Sequence, residues 1–289
     1  DLLNVFDKVK TYVDSASDKS FVLGNGWIPR FTGQNHASAI ANAMGGSLED
    51  QRKVFKGEIG WDDVENNPFA RFLEVYKEFY DNGYHPEKWW LSNFEQDFEA
   101  SFITRKAMFV FHGPWMWDKV LAADPTANLD GFPFPAASDG TVVARPVKPS
   151  EAPAMFAATM DKPYWEQAKK AFFWWMSPTA IKMQAEAVSG RVPVVDMSSV
   201  GSPNIQSAQY IKVVKPLNEG YWWDWKWLAG TLGEDSVMRF MKPGAAFVLR
   251  DDANVVTFGE YFEGKIDLQE VLDRLQIRWE AAYPDLVTN

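Results

Sequence analysis

Four stretches of this sequence hold residue types suited to gripping a small ring-shaped polar molecule. Trp115 follows Gly113-Pro114 in FHGPWMW; Gln34, Asn35 and His36 lie together in GQNHASAI; Arg191 sits in SGRVP; Trp222, Trp223, Asp224 and Trp225 fall in YWWDWKW. Indole faces stack on flat or apolar ring faces. Arg forks onto hydroxyl or carboxylate oxygens. Each residue also has a plainer use: Trp115 as a core tryptophan, Asn35 as a helix cap, and Arg191 as a partner for the last carbonyls of a helix. In the YWWDWKW stretch strict alternation sends Trp223, Trp225 and Trp227 one way and Trp222 with Asp224 the other, so part faces a ligand and part the core. Which part is which stays open.

The chemistry that is missing narrows the classes. With no cysteine there is no disulfide, thiol nucleophile or thiolate metal site. His36, His85 and His112 are far apart and lack metal-ligand spacing, so neither a metal nor any other cofactor is expected. Asp plus Glu total 39 against 29 Lys plus Arg, a net charge of −10 that repels phosphate backbones and sets nucleic acid aside as a partner. No apolar run reaches the length of about 18 residues that a membrane-spanning helix needs. The chain carries 14 Trp, 21 Phe and 9 Tyr, more aromatic surface than a core of this size requires.

The elements that must position these residues follow from pattern. Leu2, Leu3, Phe6, Val9 and Val13 share one helical face; Phe21 to Trp27 is a short strand breaking into a Gly-Asn-Gly turn; Ala37 to Met44 suits a closely packed helix stopped by Gly45-Gly46. Asn67-Pro68 opens a helix with Phe69, Phe72, Leu73, Tyr76, Phe79 and Tyr80 on one side and Gly83 beyond its end. Ser92 and Glu95 form a capping box for a helix carrying Phe94, Phe98 and Phe102, preceded by Trp89-Trp90, which we read as packing rather than a cleft wall. That helix delivers a strand, Ala107 to Phe111, and Gly113-Pro114 then makes an aromatic turn that places Trp115 past the strand end. Ligands of open α/β sheets bind there. Pro163 to Met176 is a helix with Phe172, Phe173, Trp174 and Trp175 in succession, a composition that predicts burial on more than one side. Asp267 and Glu270 cap a last helix that buries Leu268, Val271, Leu272, Leu275 and Trp279.

KAMFVFHGPWMW resembles the segment that family 1 extracellular solute-binding proteins, the maltose-binding type serving ABC importers, carry into their ligand cleft. AFFWWMSPTAIKMQAEAVSGRVPVV, from Ala171 to Val195, resembles that family's helix, Ser-Pro break, helix and Gly-x-x-Pro exit. EGKIDLQEVLDRLQIRW, from Glu263 to Trp279, resembles its closing helix. The order and spacing of the three extend the resemblance over most of the chain. Arg105 departs from it, standing where the family usually has Gly, and Thr231 to Asn254 fits as an insertion.

The resemblance implies an α/β, two-lobe, periplasmic-binding-protein-like fold, here mostly the C-terminal lobe plus part of the N-terminal lobe. Residues 1–140 would be the first part of the C-terminal lobe, 141–216 part of the N-terminal lobe, and 217–289 the closing part of the C-terminal lobe. The opening strands of the N-terminal lobe would lie in a section preceding Asp1. The implied function is a non-enzymatic, monomeric, periplasmic or extracytoplasmic receptor, lipid-anchored if that section carries an anchor, handing a sugar or oligosaccharide to the membrane permease subunits of an ABC importer. Trp115 matches the family's stacking tryptophan; Gln34, Asn35, His36, Arg191, Trp222, Trp223, Asp224 and Trp225 would line the cleft. Two alternatives remain. A glycoside hydrolase would need two carboxyl groups about 5 to 10 Å apart, and no pair is marked out; the same receptor fold could instead hold a polyamine or another non-sugar ligand.

Overall fold

The computed structural model describes residues 2–16, 20–24, 50–51, 53–54, 57–112, 115–131, 160–187, 198–201, 204, 252–282 and 284. Two compact units divide the chain: the first is Asp1–Phe111, Phe134–Pro146 and Trp223–Asn289, the second His112–Pro133 and Val147–Trp222.

The first unit opens with α1 (Leu2–Ser15), which leads to β1 (Phe21–Gly24). Phe6 and Val13 of α1 are buried, and Leu2, Leu3 and Val9 pack against a cluster of Phe6, Val22, Leu23, Phe79 and Tyr84, as the helical spacing predicts. Helix α2 (Pro68–Asp81) forms where the Asn-Pro signal places it. Asn67 Oδ1 accepts from the Phe69 N–H at 2.9 Å, while its Nδ2 donates to the Trp61 carbonyl at 2.8 Å, so one side chain both caps the helix and ties down the preceding loop. Gly83, at φ 68°, carries the chain out of the helix in a left-handed conformation.

Beyond α2, Trp89–Leu91 makes one turn of 3₁₀ helix, and Phe94–Glu99 is π-helical before running into α3 (Ala100–Ile103) and β2 (Ala107–Val110). The expected capping box is displaced by one residue. Asn93 caps the turn: its Oδ1 accepts from the Gln96 N–H at 3.2 Å, and Asp97 returns a carboxylate oxygen to the Asn93 N–H at 2.7 Å. The wide turn explains the shift, because the Phe98 N–H bonds five residues back to the Asn93 carbonyl and brings the fourth residue, rather than the third, over the cap.

A helix that the periodicity reading passed over, α7 (Asp252–Phe262), buries Val255, Phe258, Tyr261 and Phe262, and with α8 (Leu268–Ala282) it encloses α2. The Asp267 cap is present, its Oδ1 accepting from the Glu270 N–H at 2.9 Å, and Val271, Leu272, Leu275 and Trp279 are buried as expected. Glu270 does not turn back to complete the box; its carboxylate takes the Arg274 Nε–H at 2.8 Å. Trp89 and Trp90 both lie in this core, which settles them as packing residues.

The second unit is described through α4 (Trp115–Ala123), α5 (Trp165–Trp175) and α6 (Pro178–Ala187). Here the structure corrects one expectation. Phe173, Trp174 and Trp175 are exposed and α5 has no buried residue, so its aromatics are not enclosed on two sides.

Two outcomes follow from this packing. A Cβ on Gly259, in the middle of α7, would lie 2.5 Å from Trp90 Nε1. Gly259→Ala should therefore destabilise the fold by about 1–3 kcal/mol through overpacking, against the gain of up to about 1 kcal/mol that Ala brings to an open helix position; a raised urea midpoint would contradict the close packing. Burial, with the Glu74 and Asp81 carboxylates, pushes the Tyr261 phenol up to about 12. Burial and the 2.6 Å bond donated to Asp7 raise Tyr84 as well. Both groups hold their protons more tightly folded than unfolded, so their contribution is complete below about pH 10 and is lost as pH rises through the folded value. Urea midpoints should fall steeply above about pH 10, and Tyr261→Phe should flatten that fall.

Candidate ligand-binding site

What positions the site is the pairing of β1 with β2. The strands are parallel, with Phe21 opposite Ala107, Leu23 opposite Phe109 and Gly24 opposite Val110. Parallel strands end at the same edge, so the chain leaves β1 and β2 from adjacent strand termini. The carboxyl edge of a parallel sheet is where α/β folds place their ligands.

Several contacts hold this edge. The Phe21 N–H donates to the Lys106 carbonyl and the Leu23 N–H to the Tyr84 carbonyl, each at 2.9 Å, so β1 is bonded on both sides. His85 Nδ1 lies 3.1 Å from the Leu23 carbonyl oxygen, and the ring stacks on Trp89 (4.6 Å between centroids, 22°) and on Tyr76 (5.6 Å, 25°). His85 is thus a buried scaffold residue. Gly24 ends β1 where there is no room for a side chain: a Cβ would come within 2.8 Å of Ala107 Cβ and 3.3 Å of Ser101 Oγ.

Strand β2 ends at Val110, one residue earlier than the spacing suggests, and Trp115 is the first residue of α4. The aromatic turn expected after Gly113-Pro114 is therefore the start of a helix. Proline, which ends regular structure behind it, is equally at home beside a helix N-terminus. A helix start offers the N–H groups of its first turn to an oxygen-bearing ligand. Asp118 adds an acidic residue in that turn, favourable to the helix dipole. Met116 and Val120 of α4 are buried. Gln34, Asn35, His36, Arg191, Trp222, Trp223, Asp224 and Trp225 lie outside the described residues.

Trp117, which the sequence reading did not single out, has its indole N–H buried and, among the described residues, without an acceptor. Its signal was present in the second tryptophan of PWMW. A groove of about 540 Å³ between α7 and α8 is lined by Val256, Thr257, Glu260, Arg274, Ile277 and Arg278. Its Arg274 is already held by Glu260 at 2.6 Å and Glu270 at 2.8 Å, which leaves little uncompensated charge for a ligand. Among the described residues no cluster of three or more His, Asp or Glu is arranged to hold a metal ion, and no helix is long and apolar enough to cross a membrane.

No protein-family model matches the sequence, and no curated protein matches it. Solved structures do match the fold. A sugar transporter from Bacillus licheniformis in complex with stachyose is 13% identical with a TM-score of 0.58, over 97% of this chain and 65% of that one. A chitin oligosaccharide binding protein is 17% identical with a TM-score of 0.62, over 98% and 64%. A structure described in connection with xylan utilization by Caldanaerobius polysaccharolyticus is 15% identical with a TM-score of 0.61, over 94% and 64%. The chain thus has the α/β fold of periplasmic-binding-protein-like structures. It spans about 65% of the length of these neighbours.

Removing the close approach at the strand edge tests how the site is built. Gly24→Ala should cost about 1–3 kcal/mol of stability by forcing β1 from β2. A variant as stable as the parent would mean that the edge is not packed as described.

Proposed function

We propose that this chain is the larger part of a solute-binding receptor of an ABC importer, working outside the cytoplasmic membrane and holding a sugar or oligosaccharide. The observation that carries the reading is the parallel β1–β2 pair, with its common carboxyl edge; in sequence, β1 is followed by Gln34, Asn35 and His36 and β2 by Trp115. Support comes from the neighbours, whose names include a stachyose complex and a chitin oligosaccharide binder. Residues 1–140 and 217–289 belong in this reading to a C-terminal lobe and 141–216 to an N-terminal lobe, a division that differs from the two compact units over His112–Pro133, which group with the second unit. Closure of two lobes about a hinge would enclose the ligand.

Each site residue has a role matched to its chemistry. Trp115, and part of the set Trp222, Trp223 and Trp225, stack on the sugar's apolar ring face. Gln34, Asn35, His36, Asp224 and Arg191 exchange hydrogen bonds with its hydroxyls. The protein binds without turning over, and it docks as a monomer on the permease subunits of the importer.

Calorimetric titration of the complete polypeptide against mono- and oligosaccharides should give saturable heat at a stoichiometry near one, with no reducing sugar released. Release of product, abolished by one Asp or Glu substitution, would make the protein a glycoside hydrolase. Trp115→Ala should weaken binding roughly ten- to hundredfold, the equivalent of about 1–3 kcal/mol of stacking and burial, while leaving the denaturation midpoint nearly unchanged. A core tryptophan would show the reverse, with unchanged affinity and a stability loss of about 3–5 kcal/mol.

A further inference from the structure

Two polar side chains of α6 hold the chain that follows it. Lys182 Nζ donates to the Val200 carbonyl at 2.8 Å, and the Glu186 carboxylate accepts from the Asn204 N–H at 2.8 Å; each bond spans 18 residues. Both are charge-assisted, a class roughly twice as strong as bonds between neutral groups. Positions 182 and 186 are about one helical turn apart and share a face of α6. Their partners follow in the same order at the same spacing, so the returning chain runs beside α6 in the helix's own direction. Ser198, Ser199 and Val200 form a turn, and Gly201, between the two partners, stands at φ 72°, a left-handed conformation that side chains rarely adopt. Lys182 is half-buried and Glu186 exposed, which makes the lysine the stronger half of this clip.

The register constrains the residues in between. The chain leaves α6 at Ala187 and is back within reach of the Lys182 side chain at Val200. At 1.5 Å of rise per residue, Lys182 lies only about 7.5 Å behind Ala187 along the helix axis. The span 188–199 thus starts and finishes at one end of one helix, with its base tied by that helix's own side chains. Arg191 falls in this span. A segment fixed before a ligand arrives loses less freedom on binding, which raises affinity. We infer that Lys182 and Glu186 are positioning residues for Arg191, acting through the base of its loop rather than on the sugar. The ligand consequence rests on the role given to Arg191 in the proposed function; the clip itself rests on the two bonds.

Hydrogen–deuterium exchange on the complete polypeptide, read by peptide mass over 188–199 and over α6, tests the clip with no sugar present. Lys182→Met removes the donor and keeps the stem; it should speed exchange over 188–199 about tenfold, the scale of one hydrogen bond to a charged group, and leave α6 unchanged. Glu186→Ala should do the same by a smaller factor, and Lys182→Arg, which keeps a donor, should restore protection. Equal exchange in the parent and both deletion variants overturns the inference. So does acceleration that spreads through α6, which would make the two residues part of the helix's own stability.

Calorimetry with the tightest-binding sugar among the mono- and oligosaccharides titrated against the parent reads the positioning. Lys182→Met should weaken binding roughly three- to tenfold, Arg191→Ala should weaken it more, and the double variant should bind like Arg191→Ala alone. Losses that multiply would overturn the positioning role, because Lys182 would then act by a route that bypasses Arg191. Arg191→Ala binding like the parent overturns it as well. Absence of binding to every sugar would strike the proposed function and not the clip, which the exchange result decides alone.

Discussion

The packing of His85 against Tyr76 and Trp89, whose own rings also meet, is the contact on which the first unit depends. Its ring meets Tyr76 and Trp89, which belong to the core around α2, α7 and α8, and also Phe79, which belongs to the core around α1 and β1. The same ring places Nδ1 against the Leu23 carbonyl. One residue thereby joins two apolar clusters and fixes the strand that starts the candidate site. Burying a polar ring atom is costly unless it meets a partner, and the Leu23 carbonyl is the partner of Nδ1, which ties the strand to the ring.

How much of this was legible in the sequence varied with the kind of signal. Helix α2 was plain because its boundary is chemical: Asn67-Pro68 at one end, Gly83 at the other, and six aromatic or aliphatic residues at helical spacing between them. Helix α8 was plain for the same reasons. Helix α7 was not, because ANVVTFGEYF combines β-branched residues with a glycine and owes its helicity to the packing of Phe258 and Phe262 rather than to propensity. The π-helical turn was also hidden. Over six residues its wider period cannot be told from an α-helix, and it shows in bonds such as that from the Phe98 N–H to the Asn93 carbonyl.

The candidate site was legible as composition and order more than as contact. Tryptophans, an Arg and amides are the groups that stacking and hydroxyl recognition need, and the proposal of a sugar ligand rests on their presence and order in the sequence. Which indole faces a ligand depends on backbone direction beyond the strand ends, and there a single proline misled: Pro114 suggested a turn, and the chain instead enters α4 at Trp115. The exposed aromatics of α5 were misjudged for a different reason. Their burial is a property of what covers them, and no local pattern encodes a neighbour's presence.

The tie between Trp61 and Gln276 has a consequence for the order in which the chain can acquire structure. The Trp61 N–H donates to Gln276 Oε1 at 2.8 Å across 215 residues, Trp279 lies against Gly57, and α2 is packed by both α7 and α8. Residues 57–91 therefore complete their core only when residues 252–282 arrive. A ribosome making this chain releases the aromatic face of α2 long before the helices that cover it, and contacts so distant form slowly because loop closure precedes any gain. The nascent first unit stays open, with Phe69, Phe72 and Tyr76 accessible to a holdase until the last helix emerges.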